Sequence, residues 1–283
     1  MHVGETLRFA QGKLETAMIP NWHLTTIWLG PIPIQAWGLF VALGFAVAVW
    51  CTVKRAPRVG VDPKHVVDFA ALAIVTSFIG ARVAYVLEEW SFFVSRPLEI
   101  FAIWTGGLSS FGGFIGAVVA FLVISRRWSR REISHEPWRK QRSSSEPTGE
   151  ISRSARDDKF RFVDLIAVHL PLGWFIGRLG CYSIHDHAGI PCIGSFCVPF
   201  PDGTRRLDMG LIDGLATLAI YPVLLWLAHR SNFSPSFRGG ARGGALIGVL
   251  ALWYGLQRFA FDFLRASSDV LAGTPKYAGL TLA

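Results

Sequence analysis

The chain has 283 residues, with 28 Lys and Arg against 20 Asp and Glu, a net charge of +8 and a pI near 9.7. Hydrophobic residues make up 51%, charged residues only 17%, and the mean hydropathy is +0.38, which excludes a soluble two-domain protein and points to a polytopic membrane protein. The basic residues fall between apolar runs, where membrane topology and anionic lipid account for them, so a nucleic-acid partner is not expected.

Residues 1–31 are mixed, and Trp22, His23 and Trp28 suggest an extracytoplasmic segment lying at the membrane interface. The basic start, short apolar core and small-residue cleavage site of a signal peptide are not seen there. Ile32–Val53 is the first predicted spanning helix, with Gln35 and Trp37 near its start and Lys54, Arg55 and Arg58 after it. Val66–Leu87 is the second, carrying Asp68 near its start and Arg82 near its end. Glu99–Ser125 is the third, interrupted by the glycine-rich stretch from Gly106 to Gly113. Such a break at membrane depth is tolerated only where protein or a wet cavity surrounds it.

Spanning helices one to three thus fill 32–125, and 126–160 is a basic hydrophilic cytoplasmic insertion with a serine run at 143–145. It contains Arg126, Arg127, Arg130, Arg131, Arg139, Lys140 and Arg142, and its composition predicts a flexible, solvated segment. Helices four to six fill 161–265, as Phe162–Tyr182, Leu211–Leu227 and Gly243–Leu264. Between the first two lies an extracytoplasmic loop, 183–210, with Cys192, Cys197, Arg205 and Arg206. A basic loop with His229, Arg230, Arg238 and Arg242 precedes the last helix, and the tail 266–283 is too short and polar to span. The expected fold is therefore an all-α polytopic helical bundle with six visible spans and short extracytoplasmic elements.

Lysine and arginine concentrate in the loops after helices one, three and five, whereas Glu88–Leu98 holds two glutamates and one arginine. The positive-inside rule then puts the N-terminus outside. With that orientation, Arg82, Arg178, Arg258, Asp262 and Arg265 fall in the outer portions of helices two, four and six. Gln35, Trp37, the glycine break and Asp213 fall in the outer halves of helices one, three and five. Polar groups from six helices are predicted to meet at one depth, which a scatter of structural charges would not produce.

The stretch from Gly173 to Gly189, GWFIGRLGCYSIHDHAG, is the centre of that set. An arginine near the end of an apolar helix, followed by Cys181, His185, Asp186 and His187, is costly in a membrane unless it serves a site. On helix six Arg258, Asp262 and Arg265 stand at i, i+4 and i+7, one face of a helix, with Tyr254 a turn before, so Asp262 can hold both guanidiniums. Arginines gathered around fewer carboxylates favour a phosphate or carboxylate guest. In the outer leaflet the abundant phosphate is a phospholipid headgroup.

Four runs carry a resemblance: GARVAYVL from Gly80, RPLEIFAIWTGGLSSFGGFIGA from Arg96, DLIAVHLPLGWFIGRLGCYSIHDHAG from Asp164 and YGLQRFAFDFLR from Tyr254. With AWGLFVALGF from Ala36 they resemble, in order and spacing, the prolipoprotein diacylglyceryl transferase family. The resemblance implies an enzyme of the bacterial inner membrane without cofactor or resident metal. It would move a diacylglyceryl group from phosphatidylglycerol to the lipobox cysteine of a preprotein, releasing glycerol phosphate and leaving a thioether. By the same resemblance Arg178 and Arg258 hold the phosphate and its developing charge. Asp262 and Arg265 continue the same helix motif, and Asp186 and Asp213 stand where the family has glutamates. Arg82, Trp37, Gly112 and Gly113 are expected to line the substrate site, and Asp186, His185 or His187 to raise the thiolate fraction of the acceptor.

The sequence departs from the family pattern in several places. Phe111 occupies the glycine-rich break where a histidine or tyrosine is common, Cys181 and Ile184 replace asparagines, and Trp37 replaces a tyrosine. The family would continue into a seventh span, which is not visible after the final GLTLA. Other readings stay open at this point. Cys181, His185 and His187, with Asp186, Cys192 and Cys197 near, could hold zinc, although the C-x3-H-D-H spacing matches no established pattern. A lipid-binding protein that kept the fold without catalysis is another. Cys192 and Cys197 are spaced for a disulfide, and Cys51 is expected to be reduced. His169 reads as a hydrogen-bonded core residue, Asp68 and Asp164 as helix caps, and Trp37, Trp104 and Phe111 also as packing residues.

Overall fold

A computed structural model describes residues 23–102, 107–135, 148–194, 197–200, 203–230, 244–265, 270–271 and 274–275. Trp22 and the rest of 1–22, Trp104, Gly106, the basic run at 139–142, Ser143–Ser145, Arg238, Arg242 and most of the 266–283 tail lie outside the described residues. The chain divides into two compact units: the first combines Met1–Trp50, Ile166–Phe233 and Leu246–Thr281, and the second Cys51–Leu165 with Ser234–Ala245 and Leu282–Ala283.

The chain is an all-α polytopic membrane protein with small β elements outside the helices. Among the described residues, four helices are long and apolar enough to cross a membrane: Ala36–Val59, Pro63–Glu88, Lys159–Ile184 and Met209–Arg230. The third expected span is represented by the apolar stretch Phe111–Arg126 of a longer helix, Ser110–His135. The last helix, Ala245–Asp262, has 18 residues and carries Gln257, Arg258 and Asp262, all buried.

In the first unit, Thr26–Leu29 (β1) and Ile32–Gln35 (β2) form an antiparallel hairpin with Ile27 opposite Ile34. Gly30 supplies the left-handed turn at φ 61°. The sequence reading began the first helix at Ile32. Pro33, which cannot donate to a helical ladder, and the Ile-Pro-Ile-Gln alternation keep those four residues extended, and α1 runs from Ala36 to Arg55. Helix α5 (Thr148–Ile184), α6 (Met209–Arg230) and α7 (Ala245–Asp262) pack through Ala167, Val168, Ile220, Leu224, Leu246 and Leu250, each at most 6% exposed. His169 Nδ1 meets the Tyr221 hydroxyl at 3.3 Å, as expected of a core histidine. Because α5 leaves this core toward Arg178, α6 enters it from Asp213, and α7 leaves it toward Arg258, the same three helices hold the polar groups about 15 Å further along. Between α5 and α6 the loop forms a three-stranded sheet, Ala188–Pro191 (β3), Cys197–Pro199 (β4) and Arg205–Asp208 (β5), in the order β3-β5-β4. Cys192 and Cys197 are joined as a disulfide, and Cys51 is free.

The second unit holds α2 (Pro63–Glu88), the short helix α3 (Trp90–Ser95), a 3-10 turn at Pro97–Phe101 and α4 (Ser110–His135). The side chain of Asp62 accepts from Lys64 N and caps α2, with Pro63 at the first helical position, so the cap is Asp62 and not Asp68. Asp164 is not a cap of its own helix either: it sits inside α5 and accepts from Gly244 N at 2.8 Å, just before α7. Part of the insertion is helical, and 136–147 lie outside the described residues. Helix α4 runs on to His135 and α5 starts at Thr148, so polar helical turns extend both apolar cores. The Glu99–Ser125 helix proves to be two pieces, since no helix bridges Phe101 to Ser110 among the described residues.

Helices α2 and α4 approach until Gly80 and Gly112 face each other with no side chain between. A Cβ on Gly112 would collide with the Gly80 carbonyl and come within 2.5 Å of the Ala84 Cβ. Gly112→Val is therefore expected to lower the thermal unfolding midpoint of the detergent-solubilised protein by several degrees, through overpacking of about 1–3 kcal/mol. Gly248→Ala, with nothing within 4 Å of the new methyl, is expected to leave it unchanged or slightly raised.

Candidate active site

Asp213 is the fixed point of the site, buried to 1% exposure near the start of α6. Arg178 Nε of α5 meets its Oδ2 at 2.8 Å, and the Trp174 indole donates to the same oxygen at 3.4 Å. Gln257 of α7 donates to Oδ1 at 2.8 Å and to the Asp213 carbonyl at 3.0 Å, and also bonds Thr217 at 2.9 Å. Three helices are thus tied to one carboxylate with both oxygens satisfied. The Arg178 guanidinium lies 5.2 Å from the Trp174 ring centroid, and Trp174 meets Tyr254 of α7 edge-on at 5.5 Å.

The i, i+4, i+7 face expected on one helix is only part helical: α7 ends at Asp262, and Arg265 reaches back to it from just past the helix. Arg258 Nε is 3.8 Å and Arg265 Nε 3.3 Å from Asp262 Oδ1, and both Arg258 and Asp262 are 1% exposed. Two guanidiniums share one carboxylate, so this triad keeps one unit of positive charge.

The turn after α5 brings in the remaining groups. Arg178 Nη1 stands 3.9 Å from Cys181 Sγ, and the Trp37 indole of α1 lies within hydrogen-bonding reach of the same sulfur. Ligand atoms of Cys181, Asp186 and His187 all fall within 4.8 Å of one another. Burial pushes the Asp186 carboxyl up to about 6 despite the opposing pull of Arg178. Burial, then Arg178 and Arg258, hold His187 down to about 4, so its ring is neutral at physiological pH and senses both arginines. Backbone bonds fix this turn: Met209 N donates to His187 O at 3.0 Å, and Ile190 N to Leu264 O at 2.9 Å, while Gly189 bridges Arg265.

His185 takes a different position from its neighbours. In the left-handed region at φ 51°, it turns its Nδ1 to Asp208 Oδ2 at 2.6 Å and packs among Tyr182, Phe200 and His23. Burial raises the Asp208 carboxyl, while the His185 bond pulls it down. The sequence reading did not single out Asp208, although an aspartate just before an apolar helix signals an N-cap, and it accepts from Leu211 N at 3.1 Å. Gln257, Trp174 and Thr217 were missed too; a glutamine inside an apolar helix was the available signal.

The first unit therefore brings Arg178, Asp213, Arg258, Asp262, Arg265, Asp186 and Trp37 to one end of its helices. Arg82, Gly112 and Gly113 belong to the second unit. There Arg82 donates to the carbonyls of Glu99 (2.6 Å), Ile100 (2.9 Å), Ala102 (3.2 Å) and Gly107 (2.9 Å), and its guanidinium lies over Tyr85 and Phe93. Ser109 donates to Glu88 at 2.7 Å in the same region. Arg82 thus braces the segment leading into α4, with Gly112 and Gly113 in the first turn of that helix.

The sequence model of the prolipoprotein diacylglyceryl transferase family matches residues 24–136 and 151–282. The chain belongs to this family. Among its relatives is the phosphatidylglycerol--prolipoprotein diacylglyceryl transferase of Streptococcus agalactiae, 26% identical over 252 residues, or 87% of this chain and 85% of that protein. The protein of the same name from Nitratidesulfovibrio vulgaris is 26% identical over 90% of this chain and 84% of its own. That from Mannheimia succiniciproducens is 27% identical over 84% and 77%. Both stretches that form the arginine and carboxylate site lie inside the family match.

Removing Asp213 leaves Arg178 buried without its carboxylate, at a cost of about 3–5 kcal/mol. Asp213→Ala is expected to lower the unfolding midpoint in detergent well below that of Asp213→Asn, whose single amide oxygen still accepts from Arg178 or Gln257. Equal losses in the two variants would show that a neutral acceptor contributes nothing there and that the charge of the carboxylate is what ties these helices.

Proposed function

We propose that the protein transfers the diacylglyceryl group of phosphatidylglycerol to the cysteine thiol of a prolipoprotein, as the names of its relatives state of them. The observation that carries this reading is the arginine arrangement. Arg258 and Arg265 share Asp262, and Arg178 and Arg258 both act on His187, the neighbour of a free carboxyl and a thiol. The reaction needs a cationic seat for a phosphate diester beside a group that can take a thiol proton, and this arrangement supplies both.

In this reading the phosphate sits against Arg178, Arg258 and Arg265. The acceptor sulfur attacks the glyceryl carbon, the carbon–oxygen bond to phosphate breaks, and glycerol phosphate leaves with the electron pair. Guanidinium forks fixed by Asp213 and Asp262 bind the leaving group more strongly as its charge grows, which lowers the barrier rather than merely tightening substrate. Asp186, exposed on one side and beside neutral His187, receives the thiol proton. His185 acts as a positioning residue, through Asp208, for the turn that carries Asp186 and His187. Trp37 walls the Cys181 side, and Arg82, with Gly112 and Gly113, shapes the glycine-rich segment for substrate. The site opens toward the outer leaflet of a bacterial inner membrane with the N-terminus outside, as the lysine and arginine distribution supports.

Purified protein given phosphatidylglycerol vesicles and a lipobox peptide is expected to form a thioether product, read by mass spectrometry. Arg178→Ala and Arg258→Ala should each lower the rate at least about a hundredfold. Arg258→Lys should recover little, since an ammonium cannot replace the fork, whereas Leu252→Ala, at an exposed position on α7, should transfer normally. Binding of the phospholipid without product by the intact chain would overturn the reading in favour of a lipid-binding protein.

A further inference from the structure

Diacylglyceryl transfer has a proton balance that arginines alone do not meet. The acceptor thiol, with a pKa of roughly 8.5, sheds a proton to become the nucleophile. Breaking the glyceryl C–O bond turns a phosphate diester into a monoester, whose new oxygen binds a proton with a pKa of about 6. The net reaction moves one proton from sulfur to phosphate.

His187 stands between the two ends of that path. Its Nε2 is 3.7 Å from Asp186 Oδ1, and the two side chains are 26% and 37% exposed, open enough for substrate to reach both. Two residues on, Gly189 bridges Arg265, and Ile190 N donates to Leu264 O at 2.9 Å. The backbone that carries His187 therefore runs beside the end of α7, where Asp262 holds Arg258 and Arg265. Met209 N on His187 O at 3.0 Å fixes it from the α6 side. His185 cannot take the same part, because its ring is buried and its Nδ1 is held by Asp208 at 2.6 Å.

We propose that Asp186 and His187 form a relay that carries the acceptor's thiol proton to the leaving phosphate, with His187 the catalytic residue that delivers it. The relay rests on the transferase reading. The S–H bond breaks with its proton to Asp186 and its electron pair to sulfur. Sulfur forms the S–C bond as the C–O bond breaks, and that electron pair stays on the phosphate oxygen. The His187 Nδ1 proton joins this oxygen while Nε2 takes the proton from Asp186. Nothing is oxidised or reduced, and Asp186 returns to carboxylate. Arg178 and Arg258 oppose an imidazolium, so the ring gives one proton as it gains the other and stays neutral. Burial holds the Asp186 carboxyl at about 6, level with the phosphate, so the proton crosses without a large energy step. Exchange with solvent at the open ring restores the starting tautomer. The protonated monoester carries one negative charge fewer, which eases its release from the guanidiniums.

The test compares phosphatidylglycerol with an analogue in which sulfur replaces the bridging oxygen between the glyceryl carbon and phosphorus. The thiophosphate that leaves from the analogue holds its charge on sulfur and needs no proton. With the full chain in detergent and a lipobox peptide, His187→Gln and His187→Phe should each lower kcat on phosphatidylglycerol at least about tenfold with little change in KM. On the analogue both variants should run within about threefold of the unsubstituted protein, since the lost step is bypassed. In mixtures of H2O and D2O the unsubstituted protein should give a bowed rate plot, from two protons in motion, and His187→Gln a straight one. Equal losses on both substrates, undiminished rates on phosphatidylglycerol, or a straight plot for the unsubstituted protein overturn the relay and leave the transferase reading standing. Absence of transfer from either substrate by the unsubstituted protein ends the transferase reading and the relay with it.

Discussion

The carboxylate of Asp213 is the constraint on which the site depends. It is buried, it belongs to α6, and its two oxygens are taken by Arg178 of α5 and Gln257 of α7. An ion pair removed from water gives little net stability, because desolvating the two charges offsets most of their attraction. Its value here is geometric. Hydrogen bonds to a fixed carboxylate leave the guanidinium one orientation, so Arg178 is aimed before any ligand arrives. The apolar core of the same three helices supplies the rigidity that this aiming requires. Asp262 repeats the device at the end of α7, holding Arg258 from the helix and Arg265 from just beyond it.

Much of this was legible in the sequence because it follows from helical spacing. The Arg258 and Asp262 pair needed only the 3.6-residue period, Arg265 meets Asp262 from past the helix end, and the charges in apolar runs flagged Arg178 and Asp213. The Cys192–Cys197 disulfide followed from a short closable loop. What spacing cannot reveal is a partner far along the chain. His185 looked equivalent to His187, yet Asp208, 23 residues on, takes its Nδ1 at 2.6 Å. Arg82 was expected to line the substrate site; its bonds to four backbone carbonyls of one nearby segment could not be read, because carbonyl groups leave no trace in a sequence. The start of α1 was misjudged because Ile, Pro and Gln between apolar residues read as either a helix entry or a strand. The polar extensions of α4 and α5 were misjudged because composition alone reports solvation and not conformation.

The turn between α5 and β3 shows how the fold carries a site that does not stabilise it. The folded state raises the Asp186 pKa from an ordinary 3.8 to about 6. Such a group contributes stability that is full below about pH 3.8 and is lost as pH rises through about 6, so at neutral pH the ionised carboxylate is a liability. His187, held down to about 4, makes its liability felt only in acid, where protonating it beside Arg178 and Arg258 opposes folding. His185 adds a left-handed backbone at a residue with a side chain. Three groups within one turn are therefore held in states they would not choose alone.

The offset comes from backbone and covalent ties on both sides. Met209 N closes the turn onto the start of α6, and Ile190 N with the Gly189–Arg265 bridge closes it onto the end of α7. The β3-β5-β4 sheet, stapled by Cys192 and Cys197, keeps the strand that follows from fraying. Because the ties run to the same helices that carry Asp213 and Asp262, a movement of α7 would shift the guanidiniums and the Asp186–His187 pair together. The separation between the Arg258–Asp262–Arg265 cluster and the Asp186–His187 pair is thus set by one frame of backbone ties.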